Sequence, residues 1–229
     1  MTAAQDRQLV LDLAHRAALS REDFLVSPSN AAAVAMIDRW PDWPAPALAL
    51  AGPPGSGKSH LAEIWRQRCN GLIIAAAKLA VPQIPDLIAH GAIAVEDAGP
   101  GTDETALFHL LNFARQQAVP MLITSRLQPA HWTIGIPDLL SRLRAMPVIE
   151  IGAPDDALLR GVLVKLFADR QLAIGETVIS YLVARMPRSL EAARAIVAEI
   201  DLGALREKAE VTRPFAARIL AGFVAPGLI

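Results

Sequence analysis

The sequence predicts an α/β fold, a mainly parallel sheet flanked by helices, followed by a small all-helical lid domain. Three observations predict it. Short apolar runs of strand length, at residues 47–51, 72–75, 92–95, 121–124 and 148–151, are interleaved with helical patterns. These runs are continuously apolar rather than alternating, as strands covered by helices on both faces are. After Ala153-Pro154-Asp155 no strand-like run follows, and helical patterns alone continue.

Taken in order, the chain opens with Gln8-Leu9-Val10-Leu11-Asp12-Leu13, where leucine at every second position suits an extended segment. Ser27-Pro28-Ser29-Asn30 leads into an alanine-rich helix over 30–38, and the prolines at 41, 44 and 46 make the following stretch a loop. Helical patterns between the strands fall at 58–69, 104–117 and 137–143. Past the last strand they fall at 155–169, 176–186, 189–201 and about 214–223. This order predicts an N-terminal tail (1–20), an α/β base (21–153) and a helical lid (154–229).

Composition excludes several classes of function. With 53% hydrophobic residues the 229-residue chain has ample material for a core, so wholesale disorder is ruled out. Lys and Arg number 22 against 23 Asp and Glu, a formal net charge of −1, which argues against a protein that coats nucleic acid. Cys69 stands alone, so there is no disulfide framework and no thiolate metal cluster. The start is polar, with no signal-peptide pattern, and every apolar run is too short for a membrane span. A cytoplasmic protein is expected, its mean hydropathy of +0.34 explained by a buried sheet and Ala/Leu-rich helices.

The strongest motif is Gly52-Pro53-Pro54-Gly55-Ser56-Gly57-Lys58-Ser59, with His60 next, a complete phosphate-binding loop between a strand and a helix. Its glycines let the backbone turn its N–H groups inward, and the helix N-terminus adds partial positive charge. Lys58 is placed to reach the β- and γ-phosphates and the Ser59 hydroxyl to ligate Mg²⁺. The third apolar run ends in Glu96-Asp97, two acids where α/β folds bind ligands. Glu96 comes first, at the metal position, and Asp97 second, at the water-polarising position, the reverse of the order most such loops use; weak intrinsic hydrolysis is expected. The fourth run ends in Thr124-Ser125, hydroxyls that could reach the γ-phosphate or its water. The five histidines are scattered without ligand spacing, so no metal beyond nucleotide-bound Mg²⁺ is expected.

With these motifs in this order, followed by Pro137-Asp138-Leu139-Leu140-Ser141-Arg142-Leu143 and Pro187-Arg188-Ser189-Leu190-Glu191, nearly the whole chain resembles the AAA+ P-loop ATPases of the DnaA/Hda branch. The resemblance implies that Phe24-Leu25-Val26-Ser27-Pro28-Ser29-Asn30 lines the adenine pocket. It implies that Arg142 is an arginine finger acting on a neighbouring subunit's nucleotide; the residues by themselves do not choose between Arg142 and Arg144. It implies that Arg188 contacts phosphates of the chain's own ATP or ADP. A cation at a helix start opposes the helix dipole, which agrees with a residue that faces an anion.

Gln8, Leu9, Leu11 and Leu13 resemble the sliding-clamp-binding motif of Hda-like proteins, although an N-terminal strand packed on its own domain would show the same alternation. Only about 28 residues follow position 201, too few for the origin-reading domain of DnaA initiators, so sequence-specific DNA binding is not expected. The reading that results is a negative regulator of replication initiation. It binds the DNA polymerase III sliding clamp and the DnaA initiator; whether it forms a homodimer or oligomer the sequence leaves open. The rivals are an autonomous AAA+ ATPase or adaptor without clamp affinity and, more remotely, a small-molecule P-loop kinase.

Overall fold

The computed structural model describes residues 20–224. Strands β1 (Ala47–Ala51), β2 (Leu72–Ala75), β3 (Ile93–Ala98), β4 (Met121–Ser125) and β5 (Val148–Glu150) form one sheet in the order β2-β3-β4-β1-β5. All the pairings are parallel, with Ala47 opposite Met121, Ala49 opposite Val148 and Leu72 opposite Ile93. Parallel neighbours require crossovers, and these carry the helices α2 (Lys58–Cys69), α3 (Ile84–Ala89), α4 (Glu104–Gln116) and α5 (Pro137–Ala145), while α1 (Ala31–Asp38) precedes β1.

The period of two in each strand sorts the helices onto two faces. Ala49, Ile93, Val95, Met121 and Ile123 point to α3, α4 and α5. Leu48, Leu50, Ala94 and Leu122 point the other way, to α1 and α2. On that second face Trp43 stacks on Trp65 at 5.2 Å, and Trp40 meets both edge-on at 5.0 and 5.6 Å. Each fully buried Leu, Ile or Val contributes about 1.5–3 kcal/mol, so each face is a core in its own right.

Helices α6 (Asp156–Asp169), α7 (Glu176–Arg185), α8 (Leu190–Glu207) and α9 (Arg213–Val224) enclose a third core around Leu163, Phe167, Leu182, Ile196, Ile200 and Phe215. Side chains begin the helices where the sequence supplies caps: Asp103 accepts from Ala106 N, Asp155 from Leu158 N and Ser189 from Ala192 N, at 2.8–3.2 Å. None of these helices is long and apolar enough to cross a membrane.

Three expectations are corrected. Strand β3 runs on to Ala98, so the acid pair lies within the strand rather than after it. Helix α8 continues to Glu207 instead of stopping near 201; Gly203 looks like a terminator, yet a Cβ there would sit 3.1 Å from Phe215, and its absence admits α9. Helix α3 was not expected, because its six residues begin beside Pro85, which here occupies the favoured helix start.

Candidate functional site

Three neighbouring strands end side by side: β3 with Glu96 and Asp97, β4 with Thr124 and Ser125, and β1 running into the phosphate loop. In the order β2-β3-β4-β1-β5 the chain reverses direction around β1, the point where open α/β sheets bind ligands. Hydrogen bonds from backbone N–H groups lock the three ends together. Gly52 N donates to Ser125 O (3.1 Å), and Asp97 N donates to Thr124 Oγ1 (3.1 Å).

The loop needs its glycines. Gly55 (φ +68°) and Gly57 (φ +102°) lie in the left-handed region that other residues adopt at a cost. A Cβ on Gly52 would stand 2.4 Å from Ile151 O, and one on Gly55 would stand 1.9 Å from Ser189 Oγ. Helix α2 starts from Gly57 with no side-chain cap, leaving its first amides to the loop's concave side. Lys58, 6% exposed, extends its Nζ to the carbonyls of Gly52 and Pro53, both at 2.8 Å. Burial lowers its ammonium pKa, nearby Asp97 opposes that shift and Arg126 adds to it. Arg126 is therefore a second cation beside the loop that the sequence reading passed over; its place directly after Thr124-Ser125 was the available signal.

Val95 and Ala98 flank a bulge in β3, and between them Asp97 has φ +53°. In a regular strand consecutive side chains point to opposite faces. The bulge breaks that alternation and re-aims the acid pair at the site, the usual role of such a kink. Glu96 is half-buried, and its Oε1 is buried without a hydrogen-bond partner. Burial raises the Glu96 pKa, the Ser59 hydroxyl pulls it back, and Asp97 and Glu63 push it up. A buried carboxylate oxygen with no donor, next to a serine hydroxyl, suits a hard cation. Ser59 and Glu96 thus fit the Mg²⁺ of a nucleotide. Among the described residues no cluster of three or more His, Cys, Asp or Glu could hold a metal by itself, so phosphate oxygens and water would complete the shell.

The other expected residues divide. Thr124 faces Asp97, whereas the Ser125 hydroxyl is fully buried and donates to Leu127 O (2.7 Å). His60 turns away from the loop: its Nε2 donates to Ser20 O (3.2 Å), its ring meets Phe24 edge-on at 5.0 Å, and burial lowers its pKa. Phe24 also covers Gly57, where an added Cβ would stand 3.3 Å from its ring, and Asn30 folds segment 24–30 by accepting from Ser27 N and donating to Leu25 O. This segment thus sits against the loop's flank.

The lid closes the site from above. Leu190 N, in the first turn of α8, donates to Gly55 O (2.8 Å). Arg188, just before it, is paired with Asp156 at the start of α6, on the lid itself. Asp156 is a partner that no local pattern announces.

Arg142 lies elsewhere. It belongs to the last turn of α5, on the sheet face opposite α2. Its guanidinium covers Phe108 at 5.6 Å, and its Nε is buried without a partner, whereas Arg144 is exposed. Gln8, Leu9, Leu11 and Leu13 fall outside the described residues.

Comparison with solved structures identifies the architecture. The chain resembles domain III of the replication initiation protein DnaA from Thermotoga maritima, with TM-score 0.75 and 20% identity over 91% of this chain and 98% of that one. AMPPCP-bound DnaA from Aquifex aeolicus follows with TM-score 0.64 and 16% identity, over 82% of this chain and 68% of that one. A Thermotoga maritima RuvB variant gives TM-score 0.69 and 14% identity, over 89% and 72%. No protein-family model and no curated protein sequence matches. The likeness shows the fold: a parallel α/β domain followed by a helical domain, as in DnaA domain III and RuvB.

Proposed function

We propose that this chain is an AAA+ protein and an Hda-like negative regulator of chromosome replication initiation, which binds ATP or ADP with Mg²⁺ and stimulates hydrolysis of ATP held by DnaA. The observation that carries the reading is the position of Arg142. The phosphate loop lies at the C-terminal end of β1, while Arg142 is on the opposite sheet face and lines a cavity with Ala47, Met121 and Pro147, at the strands' other ends. A five-residue strand is about 16 Å long, so this guanidinium does not serve the chain's own phosphates. Its use is in trans, beside the γ-phosphate of a partner's nucleotide, where arginine fingers accelerate hydrolysis by about 10³–10⁵.

The chain's own nucleotide would sit on the amides of residues 55–59, with Lys58 at the β- and γ-phosphates, Ser59 and Glu96 at the metal and segment 24–30 against the base. Bound Mg²⁺ neutralises charge on the phosphate oxygens. Asp97, one methylene shorter than glutamate, holds the water-polarising position with limited reach, which fits weak intrinsic turnover. In this reading the base (21–153) and lid (154–229) present Arg142 and sense the nucleotide through Arg188. The tail (1–20) docks on the sliding clamp through Gln8, Leu9, Leu11 and Leu13.

The completeness of the phosphate site favours a second reading, an autonomous AAA+ ATPase or adaptor that remodels replication proteins without the clamp. One assay separates them: hydrolysis of DnaA-bound ATP with and without DNA-loaded clamp and this protein. Clamp-dependent stimulation supports the regulator. Vigorous turnover by the protein alone, with no effect on DnaA-bound ATP, overturns it in favour of the second reading.

A further inference from the structure

A cavity of about 270 Å³ opens where β1 and β4 begin and β5 is about to start, at the far end of the sheet from the phosphate loop. Leu111, Val119, Met121 and Met146 give it an apolar wall. Among the described residues Arg115 and Arg142 are its only charged lining residues, and no acid lines it. Neither arginine has an ion-pair partner among the described residues.

A guanidinium with no carboxylate partner takes up an anion through charge-assisted, often bidentate bonds from its terminal nitrogens. An apolar chamber with a few charged side chains on its lining is the form of a small-ligand site, and this volume lies just below the range that drug-sized molecules fill. We propose that this cavity is a binding site for a small amphipathic carboxylate, whose hydrocarbon chain occupies the apolar chamber while its carboxylate accepts from Arg142 and Arg115. The site is independent of the nucleotide, because the length of a strand separates the two. If Arg142 is the trans finger proposed above, the bound carboxylate withdraws it, so occupancy lowers stimulation of DnaA without altering nucleotide binding.

Calorimetric titration of the full-length protein with octanoate tests the site without any hydrolysis assay. The expected result is saturable one-to-one binding with a dissociation constant below about 1 mM. Binding should be unaffected by ADP, at least tenfold weaker for 1-octanol, and at least tenfold weaker in Arg115→Ala. Ala145→Phe, at an exposed lining position where the larger side chain should not disturb folding, should abolish it by filling the chamber. Absence of saturable binding overturns the proposal. So does octanol binding as tightly as octanoate, or binding undiminished in Ala145→Phe. None of these outcomes bears on the clamp or on DnaA.

Discussion

Replacing Gly55 with alanine should uncouple the lid from the phosphate loop, and the cost can be worked from the geometry. The residue has φ +68°, where an L side chain costs about 1–2 kcal/mol. The new Cβ would lie 1.9 Å from Ser189 Oγ, 2.8 Å from Ser189 Cβ and 3.2 Å from Ser189 Cα, against a comfortable separation near ~3.5–4.0 Å. Rotating the hydroxyl relieves only the first clash. The other two atoms are fixed to the head of α8, and overpacking of this kind costs about 1–3 kcal/mol. The expected destabilisation is therefore about 2–5 kcal/mol. If the helix backs away, the Leu190–Gly55 hydrogen bond, worth about 1 kcal/mol, is lost within that range.

Ser189→Gly removes both Oγ and Cβ at a cap cost of a few tenths of a kcal/mol. In that background Gly55→Ala should cost the backbone term, about 1–2 kcal/mol, and the milder 3.2 Å contact with the remaining Cα, well short of the full cost. A double-mutant cycle by urea denaturation, followed by far-UV circular dichroism, measures the difference. Additivity within about 0.5 kcal/mol would mean that α8 is not seated on the loop, and would refute the reasoning.

Three further predictions follow from the site. Burial raises the Glu96 pKa above 4.5, so its contribution to stability is full below that value and lost as pH rises through the raised one. Without nucleotide, Glu96→Gln should melt higher than the parent at neutral pH, with the gain vanishing below about pH 4; a gain constant across pH contradicts this. Arg188 and Asp156 have side chains 50% and 68% exposed, so Asp156→Asn should shift stability by less than about 1 kcal/mol while tightening fluorescent ADP binding as Arg188 is freed. Weakened binding would assign the pair a structural role instead. Arg142→Ala should remove stimulation of DnaA-bound ATP hydrolysis, on the order of 10³-fold, while Arg144→Ala retains most of it; the reverse result would move the finger to Arg144.

How much was legible in the sequence follows from the range of each signal. The β1 strand and the α2 helix were read to the residue because burial on both faces leaves a continuous apolar run and the phosphate loop needs its glycines in order. The acid pair was read as chemistry but not as geometry: no letter marks the bulge that gives Asp97 a positive φ. The Arg142–Phe108 and Arg188–Asp156 contacts join residues 34 and 32 positions apart in the sequence, and no local pattern encodes such meetings. Glu104 is similar. It reads as an ordinary first-turn acid of α4, yet its carboxylate accepts from Gly135 N and Ile136 N and fixes the entry to α5, the helix that carries Arg142.

The tryptophan cluster gives the molecule an uneven optical signature. Trp40, Trp43 and Trp65 crowd together behind the sheet and Trp132 lies on the other side, whereas residues 154–229 contain no tryptophan at all. Ultraviolet emission therefore watches the nucleotide-binding half alone, while far-UV ellipticity reports the helices of both halves, α6–α9 of the cover included. A melting curve taken by light emission and another by helical ellipticity would coincide only if both halves unravel together. A gap between them would reveal a cover that comes apart first, with the nucleotide-binding half still intact.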